Sequence, residues 1–122
     1  MKRGVPKSGK RQPISKRQDP AFFYVDDLDY AVMFYSYLVN APPAEHRTTF
    51  ARFATESGTL MLMLRPVQGQ RSLGVFSIPA QTIAENVEGA IIRMRWLGFI
   101  PDQAADCFLY RDMWGNRVKL QA

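Results

Sequence analysis

The sequence predicts one α+β domain built from two similar halves. A chain of 122 residues suits a single domain, and 47% hydrophobic with 22% charged residues is an ordinary globular composition. Each half shows, in chain order, the pattern of a strand, an amphipathic helix and further strands. Because such a half cannot cover its own sheet, we expect the two halves to pack together.

The first strand and helix are predicted by residue type and spacing. The run 21–25 is aromatic and β-branched, which is typical of strands. Asp27 or Asp29 can cap the helix that follows, and Asn40 with Pro42-Pro43 ends it. One face of this helix carries apolar side chains at spacings of three and four: Leu28, Val32, Tyr35 and Leu38.

A β-hairpin is predicted after the first helix. Residues 48–54 and 59–64 favour strands, and the turn-forming sequence Glu56-Ser57-Gly58 lies between them. In the second of these strands, Met61 and Met63 alternate with leucines, so both faces are apolar. Such a strand is expected either in the core or at a contact between subunits.

The second half repeats the order of the first. Residues 73–78 predict a strand, Thr82 with Glu85 forms a capping box, and Gly98 suits the end of the helix. The apolar face of this helix comprises Ile83, Val87, Ala90, Ile91, Met94 and Leu97. The last two strands, 107–111 and 117–121, are joined by a turn-rich segment.

Most of the net charge of +5 lies at the N-terminus. Residues 1–20 hold seven basic residues and one aspartate, whereas residues 21–122 hold nine basic and ten acidic residues. Because segment 1–20 also has few apolar residues, we expect a disordered basic tail before a domain at 21–122. The tail is either a solubilising or cloning-derived leader, or a tether to nucleic acid or another anionic surface. It lacks the apolar part of a secretory signal, and the chain has no membrane-helix pattern, so we expect a cytoplasmic protein.

Cysteine and histidine each occur only once in the sequence, which excludes several kinds of site. The single cysteine, Cys107, excludes an internal disulfide and a cysteine-based zinc cluster. The single histidine, His46, excludes any site that needs two. Cys107 is expected to be a small buried hydrophobic residue, and His46 is expected to be exposed or paired.

Two segments resemble motifs of the vicinal oxygen chelate superfamily, which includes glyoxalases, bleomycin-resistance proteins and dioxygenases. Residues 25–29, followed by Phe34-Tyr35, are similar to its V-x-D-L-x-x-(S/A)-x-x-F-Y segment. Residues 112–118 are similar to its D-P-x-G-N-x-(I/V) turn, with Met113 in place of the usual proline. The two motifs occur in the order and at the separation of that superfamily.

The resemblance implies two βαβββ modules, at 21–66 and 72–122. They would form a cupped mixed β-sheet with the helices on its convex face and a ligand pocket in the cup. Only eight residues separate Gly98 from Cys107, so the second module is abbreviated and its third strand is expected to be vestigial. Members of the superfamily usually dimerise, so a homodimer is expected.

The resemblance also supplies a test for a metal site. Enzymes of this superfamily bind a divalent metal ion with His or Glu ligands from four strands. The corresponding positions here are Pro20, Leu62 or Met63, Leu73 and Lys119. Proline and leucine side chains have no donor, and the lysine ammonium would repel a cation. We therefore predict no metal, no cofactor and no catalytic residues of glyoxalase or dioxygenase chemistry.

Strand alternation predicts which face binds a ligand. The apolar face, which suits the side beneath the helices, comprises Phe23, Val25, Phe76, Ile78, Val118 and Leu120. The opposite face is aromatic at one side and basic at the other, and it includes Gln121. Together with the neighbouring turn it supplies the candidate ligand-binding residues Phe22, Tyr24, Val75, Ser77, Trp114, Arg117 and Lys119. Aromatic rings would stack on a planar or apolar ligand, and Lys119 or Arg117 would pair with an anionic or oxygen-rich end.

Three functions stay open at this point. The first is a metal-free protein that sequesters or senses a small molecule in the cup. The second is a divergent lyase or dioxygenase with ligands at unexpected positions, such as His46, Glu56 or Asp112. The third is a non-catalytic interaction module that uses its basic tail to reach an acidic partner. Trp114 is alternatively a turn residue packed on the sheet edge, and Lys119 a surface lysine at a strand end.

Overall fold

The computed structural model describes residues 19–55, 57–66, 75–79, 87–104 and 106–121. These residues form two helices and two four-stranded mixed sheets. In each half of the chain a strand is followed by a helix and then by three strands, and the four strands of that half form one sheet. The predicted α+β class and the repeated order are therefore confirmed. No helix in these ranges combines the length and the apolar composition that crossing a membrane requires.

The first sheet has the strand order β1-β4-β3-β2. Its strands are β1 Ala21–Val25, β2 Glu45–His46, β3 Phe50–Thr55 and β4 Gly58–Leu64, and α1 spans Leu28–Val39 between β1 and β2. β1 is parallel to β4, and the other neighbours are antiparallel. The hairpin of β3 and β4 was predicted. The two-residue strand β2 was not, because a short polar segment carries no strand pattern.

The second sheet repeats this topology in the order β5-β8-β7-β6. Its strands are β5 Val75–Pro79, β6 Asp102–Gln103, β7 Cys107–Arg111 and β8 Arg117–Gln121, and α2 spans Val87–Trp96. β5 is parallel to β8, and the other neighbours are antiparallel. β6 has two residues, like β2; the sequence predicted a vestigial strand in this module but did not locate it.

Helix ends follow the predicted capping chemistry where the structure describes them. The Asp27 carboxylate accepts a 3.0 Å hydrogen bond from the backbone N–H of Tyr30 at the start of α1. Asn40 ends α1 in the left-handed conformation, with φ 58°. Gly98 follows α2 with φ +91°, where any other residue would be strained. The predicted capping box of Thr82 and Glu85 lies outside the described residues, as do Glu56, Leu73 and Ile83.

One hydrophobic core extends across both modules. The six strand residues predicted to lie beneath the helices are at most 1% exposed: Phe23, Val25, Phe76, Ile78, Val118 and Leu120. Where the structure describes their burial, the neighbours of these residues along the same strands are half-buried or exposed. The predicted strand orientation is therefore confirmed in both sheets.

α1 packs against the second module as well as its own sheet. The rings of Phe34 and Phe99 lie with centroids 4.8 Å apart. The Arg93 side chain of α2 donates a 2.8 Å hydrogen bond from Nε to the backbone carbonyl of Tyr37. These contacts fix the end of α2 beside the C-terminal half of α1.

The two faces of β4 differ in burial. Leu60 and Leu62 are fully buried, whereas Met61 and Met63 are only half-buried on the opposite face. The expectation that both faces lie in the core is therefore wrong within one chain, because neither of the helices that the structure describes covers the methionine side. A subunit contact at the methionines stays a prediction.

Candidate functional site

The sheets present an open face, which we define as the side whose residues alternate with the core residues. In the first sheet the open face comprises Phe22, Tyr24, Phe50, Arg52, Met61 and Met63. In the second sheet it comprises Val75, Ser77, Leu109, Arg111, Arg117, Lys119 and Gln121. These side chains are half-buried or exposed. Six of the seven candidate ligand-binding residues thus lie on this face, and Trp114 does not.

The open face of the first sheet is aromatic and rich in methionine. Across β1, β4 and β3, one row of adjacent side chains consists of Tyr24, Met63 and Phe50. The next row consists of Phe22, Met61 and Arg52. Thioether and aromatic side chains together form an adaptable apolar surface. Arg52 Nε lies 3.6 Å from one carboxylate oxygen of Glu45, and Arg47 Nε lies 2.9 Å from the other, so two arginines share this one negative charge.

The open face of the second sheet carries an excess of positive charge. Arg111 and Arg117 lie directly opposite each other in β7 and β8, and Lys119 follows on the same face of β8. Arg111 Nε is 3.0 Å from a carboxylate oxygen of Asp102. Arg117 and Lys119 form no ion pair with the residues that the structure describes. Because like charges that lie opposite each other are destabilising, an anion bound here would relieve repulsion.

The two sheets meet where β1 ends and β8 begins. The Asn116 side-chain amide donates a 3.0 Å hydrogen bond to the backbone carbonyl of Tyr24. Asn116 directly precedes Arg117, so the backbones of Tyr24 and Arg117 lie close together. The other candidates lie next to these residues. Phe22 is two residues before Tyr24 on β1, and across β5 and β8 Val75 pairs with Arg117 and Ser77 with Lys119.

Trp114 lies beside α1. Its ring packs edge-on against Tyr30 of α1 with a centroid distance of 6.1 Å, and its backbone N–H donates to Asp112 Oδ1 at 2.9 Å. α1 covers the face of the first sheet opposite to the open face. The structure therefore gives Trp114 a packing partner on the helix side, and a ligand contact by its ring stays a prediction.

A buried polar cluster holds the turn that carries Trp114. The Asp112 carboxylate accepts four hydrogen bonds, from the Tyr35 hydroxyl, the Asn116 side-chain amide, and the backbone N–H groups of Trp114 and Asn116. Asp112, Asn116 and Tyr35 are buried. Burial, followed by the negative charge of Asp112, raises the pKa of Tyr35 well above its ordinary value. Tyr35 is therefore a fixed donor, and Asp112 is an acceptor whose oxygens are already used.

An acidic groove of about 880 Å³ lies at the end of β1, and His46 is part of it. Its carboxylates already have structural partners: Asp27 caps α1, and Asp26 lies 3.2 Å from Arg65 Nε. His46 Nε2 is 3.7 Å from Asp29, so the expectation that it is exposed or paired is confirmed. The groove is open to solvent. Because its charged side chains cap a helix or form ion pairs, their presence does not require a catalytic role.

The positions that correspond to metal ligands in the superfamily are dispersed. Pro20 is exposed, Leu62 is buried beneath the helices, and Met63 and Lys119 are half-buried on the open face. Leu73 lies outside the described residues. Within the described ranges, no group of three or more His, Cys, Asp or Glu residues is arranged to hold a metal ion. The absence of a metal in the protein stays a prediction.

Several features of the site were not predicted from the sequence. Arg52 belongs to the open face, and the alternation of Ala51 and Phe53 as buried residues in β3 is the signal that identifies it. The contact of Tyr35 with Asp112 joins residues far apart in the chain, and no sequence pattern marks such a pair. Cys107 is buried, as expected.

Two packed βαβββ modules with this strand order define the fold of the glyoxalase and bleomycin-resistance proteins, and the comparisons bear this out. A glyoxalase / bleomycin resistance protein from Catenulispora acidiphila is 17% identical, with a TM-score of 0.66 over 87% of this chain and 97% of that chain. The resemblance to the vicinal oxygen chelate superfamily is thereby confirmed for the fold.

Two further solved structures have the same fold and described activities of their own. Lactoylglutathione lyase from Agrobacterium tumefaciens is 21% identical, with a TM-score of 0.64 over 90% of this chain and 95% of that chain. The fosfomycin resistance protein FosX from Listeria monocytogenes, solved with Mn(II) and sulfate, is 17% identical, with a TM-score of 0.58 over 90% of this chain and 91% of that chain. At such identities the likeness shows the fold alone. No protein-family model and no curated protein matches the chain.

Proposed function

We propose that this protein binds a small molecule on the open face without a metal ion, and that it sequesters or senses that molecule. The ligand would be planar or apolar over most of its length and would end in an anionic or oxygen-rich group. Its apolar part would lie on the aromatic and methionine side chains of the first sheet. Its anionic end would pair with Arg117 and Lys119.

The observation that carries the proposal is the positive charge of Arg117 and Lys119 on β8, which no described carboxylate balances, beside the apolar surface of β1. Arg111 and Arg117 oppose each other, and one carboxylate, Asp102, balances the first of them. The hydrogen bond from Asn116 to Tyr24 joins the cationic strand to the aromatic one. Few precisely placed charges beside an apolar surface are the usual composition of a small-molecule site.

The metal-free part of the proposal is supported by the chemistry of the donor set. A leucine or thioether side chain, at Leu62 or Met63, and an ammonium group, at Lys119, occupy positions at which the superfamily's enzymes place His or Glu. Carboxylate ligands suit Mg²⁺ and Mn²⁺, imidazole suits Zn²⁺ and Fe²⁺, and the Lys119 ammonium would repel any of these cations. Binding without a chelated metal therefore agrees best with these side chains.

Titration with anilinonaphthalene sulfonate, a planar aromatic anion, tests the proposal directly. Fluorescence should report saturable binding, and Lys119→Glu or Arg117→Glu should weaken it about tenfold or more, the effect of losing one charge-assisted hydrogen bond. Tyr24→Ala should weaken it through lost stacking.

The matched control is Arg47→Glu, which makes the same charge change at an exposed site that pairs with Glu45. It should leave the affinity unchanged at constant ionic strength. Equal weakening by Arg47→Glu and Lys119→Glu would mean that only the net charge matters, and it would contradict the proposed site.

A further inference from the structure

Three positively charged side chains lie together on the open face of the second sheet. Arg111 and Arg117 are directly opposite each other in β7 and β8, and Lys119 lies two residues after Arg117 on the same face. Directly opposite residues of an antiparallel pair have Cβ atoms about 4.5–5.5 Å apart, and diagonal neighbours are about 7–8 Å apart. These three residues, which we call the cation cluster, are therefore close enough for their long side chains to contact one bound group.

The cation cluster carries more charge than a single negative charge can balance. Among the residues that the structure describes, Asp102 is the carboxylate that pairs with it, at 3.0 Å from Arg111 Nε. Three positive charges and one negative charge leave a net charge of +2 at this part of the open face. A group with two negative charges would neutralise the cluster, whereas a monoanion would leave one positive charge unbalanced.

The chemistry of the donors favours a phosphate group over a carboxylate. Guanidinium groups form paired hydrogen bonds with phosphate oxygens, and a lysine ammonium binds phosphate as a point charge. A phosphate monoester has three strongly accepting terminal oxygens, one for each cation of the cluster, whereas a carboxylate has two. The neighbours in register, Val75 and Leu109, are apolar and flank the cluster. These surroundings suit the apolar body of an ester better than a free hydrated ion.

We propose, on the basis of the ligand binding proposed above, that the anionic end of the ligand is the dianionic phosphoryl group of a phosphate monoester. The three terminal oxygens pair with the cation cluster. The aromatic or other apolar body of the ester extends towards Tyr24, whose backbone carbonyl accepts the hydrogen bond from Asn116 at the start of β8. Binding in this way forms and breaks no covalent bond.

Isothermal titration calorimetry with naphthyl phosphate and naphthoate tests the class of anion, because the two ligands share one apolar ring system. The phosphate has a second pKa of about 6, so it is a dianion at about pH 8, where naphthoate is a monoanion. At constant ionic strength, naphthyl phosphate should then bind about tenfold tighter or more, the effect of one additional charge-assisted hydrogen bond. At about pH 5 most of this preference should disappear, because the phosphate is then a monoanion as well. Naphthoate controls for any change in the protein over this pH range.

Two variants change the charge of the cluster in opposite directions. Lys119→Gln lowers its net charge to that of a partner for a monoanion, so the preference for naphthyl phosphate should fall to about threefold or less. Asp102→Asn releases Arg111 from its ion pair and should strengthen the binding of naphthyl phosphate about threefold or more. Arg47→Gln is the control, because this arginine pairs with Glu45 in the first sheet, and it should leave the preference unchanged.

The outcomes separate this proposal from the proposed function. Equal affinity for naphthyl phosphate and naphthoate, with both weakened by Lys119→Glu, would overturn the phosphate assignment and leave the proposed ligand binding intact. Inorganic phosphate that binds as tightly as naphthyl phosphate would overturn the ester, because the site would then take a free anion. The lack of saturable binding of anilinonaphthalene sulfonate as well as of both naphthalene ligands would contradict the proposed function itself, and the phosphate assignment with it.

Discussion

The Tyr35 hydroxyl of α1 donates a 2.7 Å hydrogen bond to the Asp112 carboxylate, which lies 77 residues later in the turn between β7 and β8. Both residues are buried, and the same carboxylate holds the turn closed through three further donors. The segment that resembles a superfamily turn motif therefore joins the two modules. The relative position of the two halves of the open face, on which we place the ligand site, depends on this contact.

Tyr35→Phe removes the hydroxyl and leaves its carboxylate partner buried with one donor fewer. The free energy of unfolding should fall by about 1.5–3 kcal/mol, the usual contribution of a hydrogen bond to a charged group. Urea denaturation followed by circular dichroism measures this. Tyr37→Phe is the control, because Tyr37 is exposed. Equal stability of Tyr35→Phe and wild type would mean that the hydrogen bond from Tyr35 to Asp112 contributes nothing to the free energy of unfolding.

Asn116→Asp keeps the shape of the side chain but replaces the amide donor by an acceptor. The new carboxylate would face the Tyr24 carbonyl and the Asp112 carboxylate, both of which now receive hydrogen bonds from Asn116. We expect Asn116→Asp to be more destabilising than Asn116→Ala, because alanine removes the donor without adding a buried charge. Urea midpoints of the two variants give the comparison, and the reverse order would contradict the assigned amide orientation.

Tyr110 should make the protein sensitive to alkaline pH. Burial raises the pKa of Tyr110 to about 12, partly offset by the charges of Arg95 and Arg93. The pKa is about 10 in the unfolded chain, so the folded state binds the proton more tightly. The resulting stability is complete below about pH 10 and is lost as the pH rises towards about 12.

Tyr110→Phe isolates this contribution. The Tyr110 hydroxyl is buried and has no hydrogen-bond partner among the described residues, so the variant should be as stable as wild type, or more so, at about pH 7. At about pH 11 it should keep more of its stability than wild type does. Urea denaturation at both pH values measures this, and parallel losses in the two proteins would count against the buried phenol.

Adjacent residues of β8 should respond oppositely to substitution. Leu120 is fully buried, so Leu120→Ala should cost about 2–5 kcal/mol of unfolding free energy. Lys119 is half-buried on the open face, so Lys119→Glu should change stability by less than about 1 kcal/mol. Thermal and urea denaturation of the two variants test the orientation of the strand. A large loss with Lys119→Glu would show that the lysine supports the fold.

The alternation of apolar residues along the strands was sufficient to predict the core face, because each strand has one side beneath the helices. It correctly separates Phe23 from Phe22 and Leu120 from Lys119. The strands β2 and β6 were harder to predict, since two residues are too few to show a period. Local spacing also limited the cap of α1 to Asp27 or Asp29, because capping depends on residues within one turn, and the structure shows that Asp27 is the cap.

The parts of the site that arise from long-range contacts could not be predicted in the same way. Trp114 was a candidate for the ligand surface, and its ring packs on Tyr30 of α1. Asp112 was a candidate metal ligand of a divergent enzyme, and its oxygens accept hydrogen bonds from Tyr35 and the turn. The path of the chain through space decides both placements, and a single sequence carries no direct signal for it.

Native mass spectrometry of the protein, purified without chelators, tests the central claim most directly. We expect a metal-free protein, alone or with a bound organic molecule, and that molecule should be released more readily from Lys119→Glu. The same spectrum reports the subunit number. A metal ion bound in stoichiometric amount would contradict metal-free binding and would make an enzyme the better interpretation.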